Sequence, residues 1–320
     1  MKQLISLNSN IPDDLAHQRL DQALAKIFPD YSRSRLTQWL KQDQIKIDGK
    51  TGRSKDKVKG GEHVVIHAVL EDEQWEAESI PLTIIHEDND ILVLNKPAGV
   101  VVHPAQGNFS HTIVNALLYH CPALGQLPRA GLIHRLDKDT TGLLVVAKNL
   151  VAHHALVKAM QERKIQRTYQ AIVYGKTPIK GTIHTLYGRH PQQRLKMAVY
   201  AESSVSGKQA ITHYKTKNFY APFSLLEVSL ETGRTHQIRV HLAHIKFPIV
   251  GDNLYGISGK QLSQSQNLSE ELRETLLNFH RQTLHAWRLK LQHPVTQEWL
   301  SWAAPLPDDM QYLLELIKNQ

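Results

Sequence analysis

The sequence predicts an α+β protein in two parts: a small basic helix-and-strand unit, then a larger unit built on a mixed, largely antiparallel β-sheet flanked by helices and loops. Three observations predict it. Apolar residues recur at helical spacing between Leu20 and Leu40 and then alternate around Ile45 and Ile47. From Pro81 onward, short apolar or alternating runs bounded by turn residues outnumber helical stretches. No regular strand–helix–strand period repeats, which argues against a parallel α/β sheet.

Leu20, Ala23, Leu24 and Ile27 share one helical face, and Pro29 stops that helix. Ser32 can cap a second helix with Leu36, Trp39 and Leu40 on its apolar face, so that Arg33, Arg35 and Lys41 face outward. Ile45 and Ile47 flank Lys46 as in a strand, Asp48-Gly49 supplies a tight turn, and a further strand passes through Val64 and Ile66. This unit is placed at residues 15–70. The stretch 71–80 holds Glu71, Asp72, Glu73, Glu76 and Glu78 with no cation and reads as an acidic linker. The larger unit, 81–312, takes strands from Ile84-Ile85, Ile91 to Leu94, Leu143 to Ala147, Arg167 to Val173 and Leu225 to Leu230, with a helix from Val151 to Met160. Trp39, Trp287 and Trp302 are expected in the core, and the Gln/Ser-rich stretch from Ser258 to Glu271 in a loop.

The 320 residues are 41% hydrophobic and 21% charged, an ordinary globular balance. The longest apolar runs are strand-sized, far below the roughly 20 residues of a membrane span, and residues 1–10 do not resemble a signal peptide. Cys121 is the single cysteine, so no internal disulfide forms and a cytoplasmic location is expected. The net charge of +8 favours a polyanionic partner. Between Leu15 and Gly60 stand eleven cations, Arg19, Arg33, Arg35 and Lys41 among them, against five anions. So much charge in so small a unit points to RNA backbone contact.

Two segments stand out from the strand background. In the first, the polar loop His134-Arg135-Leu136-Asp137-Lys138-Asp139-Thr140 runs straight into the apolar strand, which positions whatever the loop presents. In the second, Thr232-Gly233-Arg234-Thr235-His236-Gln237-Ile238-Arg239, two guanidiniums can meet a carboxylate or a phosphate. His134 to Asp137 with Thr141-Gly142 resembles the signature of the RluA-type pseudouridine synthases. Asn95-Lys96-Pro97-Ala98-Gly99 with His103-Pro104 resembles that family's upstream motif, and Thr232 to His241 its downstream one. Arg19-Leu20-Asp21, Ser32-Arg33-Ser34 and Ile45 to Gly49 are similar to the S4 RNA-binding domain, with Asp48 where Asn is usual.

The resemblance implies an isomerase that converts uridine to pseudouridine. Asp137 would be its carboxylate, Arg239 the partner holding it ionised and oriented, and Tyr169 the aromatic group packed on the flipped base, where it would also assist proton removal at carbon 5. Arg135, beside Asp137, would fill the gap the base leaves, while Arg234, on its own chemistry, can simply bind phosphate. The expected substrate is the helix 69 stem-loop of 23S ribosomal RNA, free or in a precursor particle, with another ribosomal site or transfer RNA as alternatives. The reaction has no redox change and no net hydrolysis, so neither cofactor nor metal is expected; His236, His241 and His244 lie close in sequence but match no metal motif. A monomer is the simplest assembly. Two rival readings compete. In a glycoside hydrolase, Asp137 and Asp139 on an extended loop would lie about 6–7 Å apart at Cα. A non-catalytic ribosome-assembly protein would keep the fold and lose the chemistry.

Overall fold

The computed structural model describes every residue except 1, 30, 32, 72–74, 105–107, 202–206, 259 and 261–267. The chain forms two compact units, Met1–Gln74 and Trp75–Gln320.

The first unit packs helices α1 (Leu20–Ile27) and α2 (Arg33–Lys41) on a four-stranded antiparallel sheet of order β1-β4-β2-β3, comprising β1 (Lys2–Asn10), β2 (Ile45–Ile47), β3 (Lys50–Thr51) and β4 (His63–Glu71). Leu20, Ala23 and Leu24 of α1 meet Leu36, Trp39 and Leu40 of α2 and Ile45, Val64 and Ile66 of the sheet. Asp48 and Gly49 both have positive φ, the tight turn their sequence predicts. The Asp48 carboxylate also accepts from His63 N–H at 2.9 Å, tying that turn to β4. Strand β1, ahead of residue 15, was not foreseen. Ser32, the expected helix cap, lies outside the described residues.

The second unit holds β5 (Ile84–Glu87), β6 (Ile91–Lys96), α3 (Ile113–His120), β7 (Thr141–Ala147), α4 (Leu150–Gln161), β8 (Gln166–Tyr174), β9 (Lys180–Arg189), β10 (Met197–Tyr200), β11 (Lys208–Tyr220), β12 (Phe223–Leu230), α5 (Gln237–His244), α6 (Glu270–Asn278), β13 (Leu284–Gln292), β14 (Trp299–Ala303) and α7 (Asp308–Lys318). Its ten-stranded sheet runs β10-β9-β11-β12-β8-β13-β7-β6-β5, with β14 also on β13. Every pairing is antiparallel except β13 with β7. Strand β7 is buried at every position, and from Leu143 to Ala147 it is apolar throughout. Along β7, Leu144 and Val146 enter one core with Leu92, Leu94 and α3, whereas Leu143, Val145 and Ala147 enter another with α4. The first core also holds Leu136, Tyr169 and Ile238, so all three motif segments reach one face of the sheet.

Three expectations are corrected. Trp75 to Ile80 is not a free linker: Glu78 N–H donates to Asn115 O, Asn115 Nδ2 donates to Glu76 O, and Glu78 Oε1 accepts from His111 N–H. Glu270 and Glu271 open α6 instead of ending a loop, and residues 261–267 of that stretch lie outside the described residues. Trp39 is fully buried, but Trp287 and Trp302 are only partly so.

Candidate active site

Asp137 sits where a loop enters β7, and the loop is anchored on both sides of it. Leu136 is buried in the core. Thr140 N–H donates to Asp137 O at 3.1 Å, so Asp137 to Thr140 form a turn. The extended geometry that would make Asp137 and Asp139 a hydrolase pair is therefore absent. Gly142 has φ +110, and a Cβ there would lie 2.3 Å from Ala286 O on β13. Only glycine lets β7 approach β13 in parallel at the end that carries the loop.

Two buried polar side chains hold this loop. Lys96 is fully buried and donates to Pro97 O (2.7 Å), Val100 O (2.9 Å) and Lys138 O (2.7 Å), joining the Asn95–Gly99 segment to the turn after Asp137. Burial pushes its pKa down to about 7, against the pull of Asp139 and Asp137. His134 Nε2 accepts from Val145 N–H at 3.2 Å. Burial, with Arg167 close by, pushes His134 down to about 3, so the ring stays neutral and keeps that acceptor.

Arg239 approaches from α5. Its Nη1 donates to Asp137 Oδ2 at 3.0 Å, while Nε and Nη2 grip Asp252 at 2.7 and 2.8 Å. The Asp252 side chain is fully buried, and its Oδ1 also accepts from Leu254 and Tyr255 N–H. Burial opposes the charge on Arg239, but the two carboxylates raise its pKa above the ordinary arginine value. One guanidinium is thus shared unequally: two hydrogen bonds to Asp252 and one to Asp137.

His236 sits at the N-terminus of α5 with φ 56, its Nε2 4.0 Å from Asp137 Oδ1 and its Nδ1 2.9 Å from Tyr255 Oη. Met197 N–H donates to that same Oη, which frees the Tyr255 proton for His236 Nδ1. Nε2 then carries the imidazole hydrogen and faces Asp137. Burial lowers the His236 pKa, Asp137 opposing and Arg239 reinforcing the shift.

Tyr169 is buried on β8, and burial raises its pKa, an effect Arg167 opposes and Asp137 reinforces. The downstream loop is held by Gln237, whose Oε1 accepts from Thr232 Oγ1 and Arg234 N–H and whose Nε2 donates to Ile211 O and Thr212 Oγ1. Arg234 and Arg135 are exposed. Asp137, Tyr169 and Arg239 are therefore brought together, with Arg135 on the same loop as Asp137. Arg19, Arg33, Arg35 and Lys41 belong to the first unit. There Arg19 and Arg33 both bind Asp21, a buried carboxylate held below its ordinary pKa: burial raises it, but the two guanidiniums more than offset that.

Sequence reasoning missed Asp252, Tyr255 and the role of Lys96. A signal existed for the first two: Gly251-Asp252 to Tyr255-Gly256 sets a carboxylate between two glycines after an apolar run. A Cβ at Gly256 would lie 2.3 Å from Asp252 O, so the turn closes tightly on the carboxylate. Both ring nitrogens of His241 meet threonine hydroxyls, Thr212 and Thr185. Among the described residues, Asp88, Asp90 and His293 form the one grouping with metal-ligand spacing. His293 Nδ1 accepts from Val295 and Thr296 N–H, which puts the ring hydrogen on Nε2, 3.3 Å from Asp88. That nitrogen is a donor to a carboxylate and has no lone pair for a cation.

The chain is similar to known proteins along almost its whole length. Residues 90–244 match the family described as RNA pseudouridylate synthase, and residues 18–64 match the S4 domain. The ribosomal large subunit pseudouridine synthase D of Haemophilus influenzae is 48% identical over 316 residues, 98% of this chain and 95% of that protein. Its namesake in Escherichia coli (strain K12) is 45% identical over 320 residues, 99% of this chain and 96% of that one. Among solved structures, human RNA pseudouridylate synthase domain containing 4 matches with TM-score 0.57 and 26% identity, covering 74% of this chain and 93% of its own. With an S4 domain at its N-terminus and relatives alike along almost its whole length, the chain belongs to the RNA pseudouridine synthase family.

Proposed function

We propose that this pseudouridine synthase acts on large-subunit ribosomal RNA, at uridines of the helix 69 stem-loop of 23S RNA, with Asp137 as the reacting carboxylate. The observation that carries the reading is the single 3.0 Å hydrogen bond from Arg239 to Asp137 Oδ2 beside the buried Tyr169. The names of its full-length relatives support the substrate class.

The isomerisation breaks the N1–C1′ bond, turns the uracil and forms C5–C1′, with one proton lost at C5 and one gained at N1. Asp137 starts the sequence as a carboxylate, by adding to C1′ or by taking the C2′ proton. Either route needs an ionised, oriented oxygen. Arg239 occupies Oδ2 and leaves Oδ1 for the substrate. Because Asp252 takes most of the guanidinium, Asp137 is oriented without being fully neutralised. Tyr169, its pKa raised, stays a phenol at neutral pH and acts as a wall for the uracil and a hydrogen-bond donor. Extruding the base costs roughly a few kcal/mol, which Arg135 offsets by occupying the vacated stack. In the first unit Arg19 and Arg33 share one carboxylate among the described residues, and with Arg35 and Lys41 they serve the RNA backbone.

The test is pseudouridine mapping of 23S RNA from cells lacking the gene, after incubation with wild type and with Asp137→Ala. New pseudouridines in helix 69 with wild type alone are expected. Modification elsewhere, or only in transfer RNA, would replace the target. Modification by both proteins would remove Asp137 from the mechanism.

A further inference from the structure

We propose that Arg167 binds a phosphate of the RNA strand beside the flipped nucleotide. This rests on the RNA-substrate reading and adds a binding residue to it. Arg167 lies on β8 two residues before Tyr169, so strand alternation puts both on the same face of the sheet. Its surroundings are unusual for a guanidinium. The Nε is buried with no hydrogen-bond partner, and among the described residues Arg167 forms no ion pair. Arg239, the guanidinium that meets Asp137, has two carboxylates. A buried N–H with no acceptor is rare in folded proteins, and one on a permanent cation rarer still.

Two neighbours show where the group opens. The charge on Arg167 reaches His134 and Tyr169, depressing the pKa of the first and opposing the rise in the second. A Cβ at Gly233 would lie 2.9 Å from Arg167 Nη1. Gly233 does not have positive φ, so its backbone does not require glycine. A side chain there would have to push the Arg167 guanidinium aside. Arg167 thus sits between the loop of His134 and Arg135 and the loop of Gly233 and Arg234, both of which carry exposed arginines. An anion entering between those loops meets the terminal Nη groups, which are not among the buried unpartnered atoms and have no hydrogen-bond partner among the described residues. A phosphodiester fits: its two free oxygens match the parallel N–H groups of a guanidinium fork.

The experiment compares wild type, Arg167→Met and Arg167→Lys in the full-length protein. It uses filter binding of a 23S RNA fragment containing helix 69 across a range of salt, thermal melting, and steady-state kinetics. Arg167→Met should weaken binding roughly tenfold and flatten the log–log salt dependence by about one unit. Its loss should fall on KM more than on kcat, and its Tm should equal or exceed that of wild type, because a half-buried charge with no acidic partner among the described residues is gone. Arg167→Lys should restore the salt slope and only part of the affinity. A lower Tm with an unchanged salt slope would make Arg167 a structural residue and overturn the proposal. So would loss confined to kcat, which would place Arg167 in service of Tyr169. Binding requires no turnover, so the slope decides the role of Arg167 even if this fragment is not the one modified.

Discussion

Replacing Asp252 by Asn tests whether the Asp137 carboxylate, the proposed reacting group, is held from behind. Asp252 Oδ1 accepts from Arg239 Nη2 at 2.8 Å, Leu254 N–H at 2.9 Å and Tyr255 N–H at 3.0 Å, while Oδ2 accepts from Arg239 Nε at 2.7 Å. An amide can keep the three contacts at Oδ1. At the other position its N–H₂ faces the Arg239 Nε–H, so one charge-assisted hydrogen bond is lost and donor meets donor. Breaking a buried pair from one side costs about 3–5 kcal/mol. Asp137 still balances Arg239, so the lower end, about 3 kcal/mol, is expected. For a unit of this size that is a fall in Tm of roughly 6–12 °C. The guanidinium, loosened from Asp252, should shift onto Asp137, and kcat should fall by at least about tenfold, since small misplacements of reacting groups are costly. Thermal melting and single-turnover pseudouridine formation measure both. Arg239→Met supplies the control: it should cost less when combined with Asp252→Asn than in wild type, with a coupling of about 1 kcal/mol or more. Additive effects, or an unchanged Tm in Asp252→Asn, would refute the view that Asp252 acts through Arg239.

Gly142→Ala forces a Cβ to within 2.3 Å of Ala286 O at φ +110, so a loss of about 3 kcal/mol or more in urea unfolding is expected, with activity lost alongside. His134 has a folded pKa of about 3 against 6.5, so the unfolded chain binds the extra proton between those values. The stability it contributes is complete above pH 6.5 and is lost as pH falls toward 3. Wild type should therefore lose up to about 1.4 kcal/mol per pH unit more than His134→Gln across that window, read from urea titrations at about pH 7, 5.5 and 4.5. Deleting residues 1–74 should flatten the salt dependence of RNA binding while the remainder stays folded. Deleting residues 1–78 should lower the Tm of the remainder, because Glu76 and Glu78 dock on Asn115 and His111. Equal Tm values for the two truncations would contradict that docking.

Much of the fold was legible because its signals are local. Leu143 to Ala147 is apolar at every position, and the strand it forms is buried at every position. The helix at Leu150–Gln161 and the turn at Asp48-Gly49 were likewise written in short-range pattern. Strands β9 and β11 were not, because they lie toward the edge of the sheet and carry exposed polar residues along much of their length. The acidic stretch after Glu71 was misread for a different reason. Composition reports charge but not whether backbone groups find partners, and Glu76 and Glu78 do. In the site, Asp137, Tyr169 and Arg239 came from motif resemblance. Asp252 escaped because a carboxylate after an apolar run looks like any turn until Arg239 is placed against it. Lys96 escaped because a lysine before a proline reads as surface, and only the fold shows three carbonyls around its ammonium.

These polar groups separate by whether the protein satisfies them. Lys96 donates to three carbonyls, Gln237 makes four hydrogen bonds, and the Asp252 carboxylate accepts four. Each binds one loop of the site to its neighbour, and none has capacity left for a ligand. Asp137 accepts a single side-chain hydrogen bond, and the Arg167 Nε–H finds no acceptor. Buried groups that are fully engaged act as scaffold, because leaving any of their partners unpaired would cost about 1–3 kcal/mol each. Groups left partly engaged in the same place keep capacity for a ligand. In this site the Asp137 carboxylate and the Arg167 guanidinium are incomplete, as is the buried Nδ1–H of His134; the first two are the groups proposed above to meet a ribose–uracil unit and a phosphate of the RNA strand.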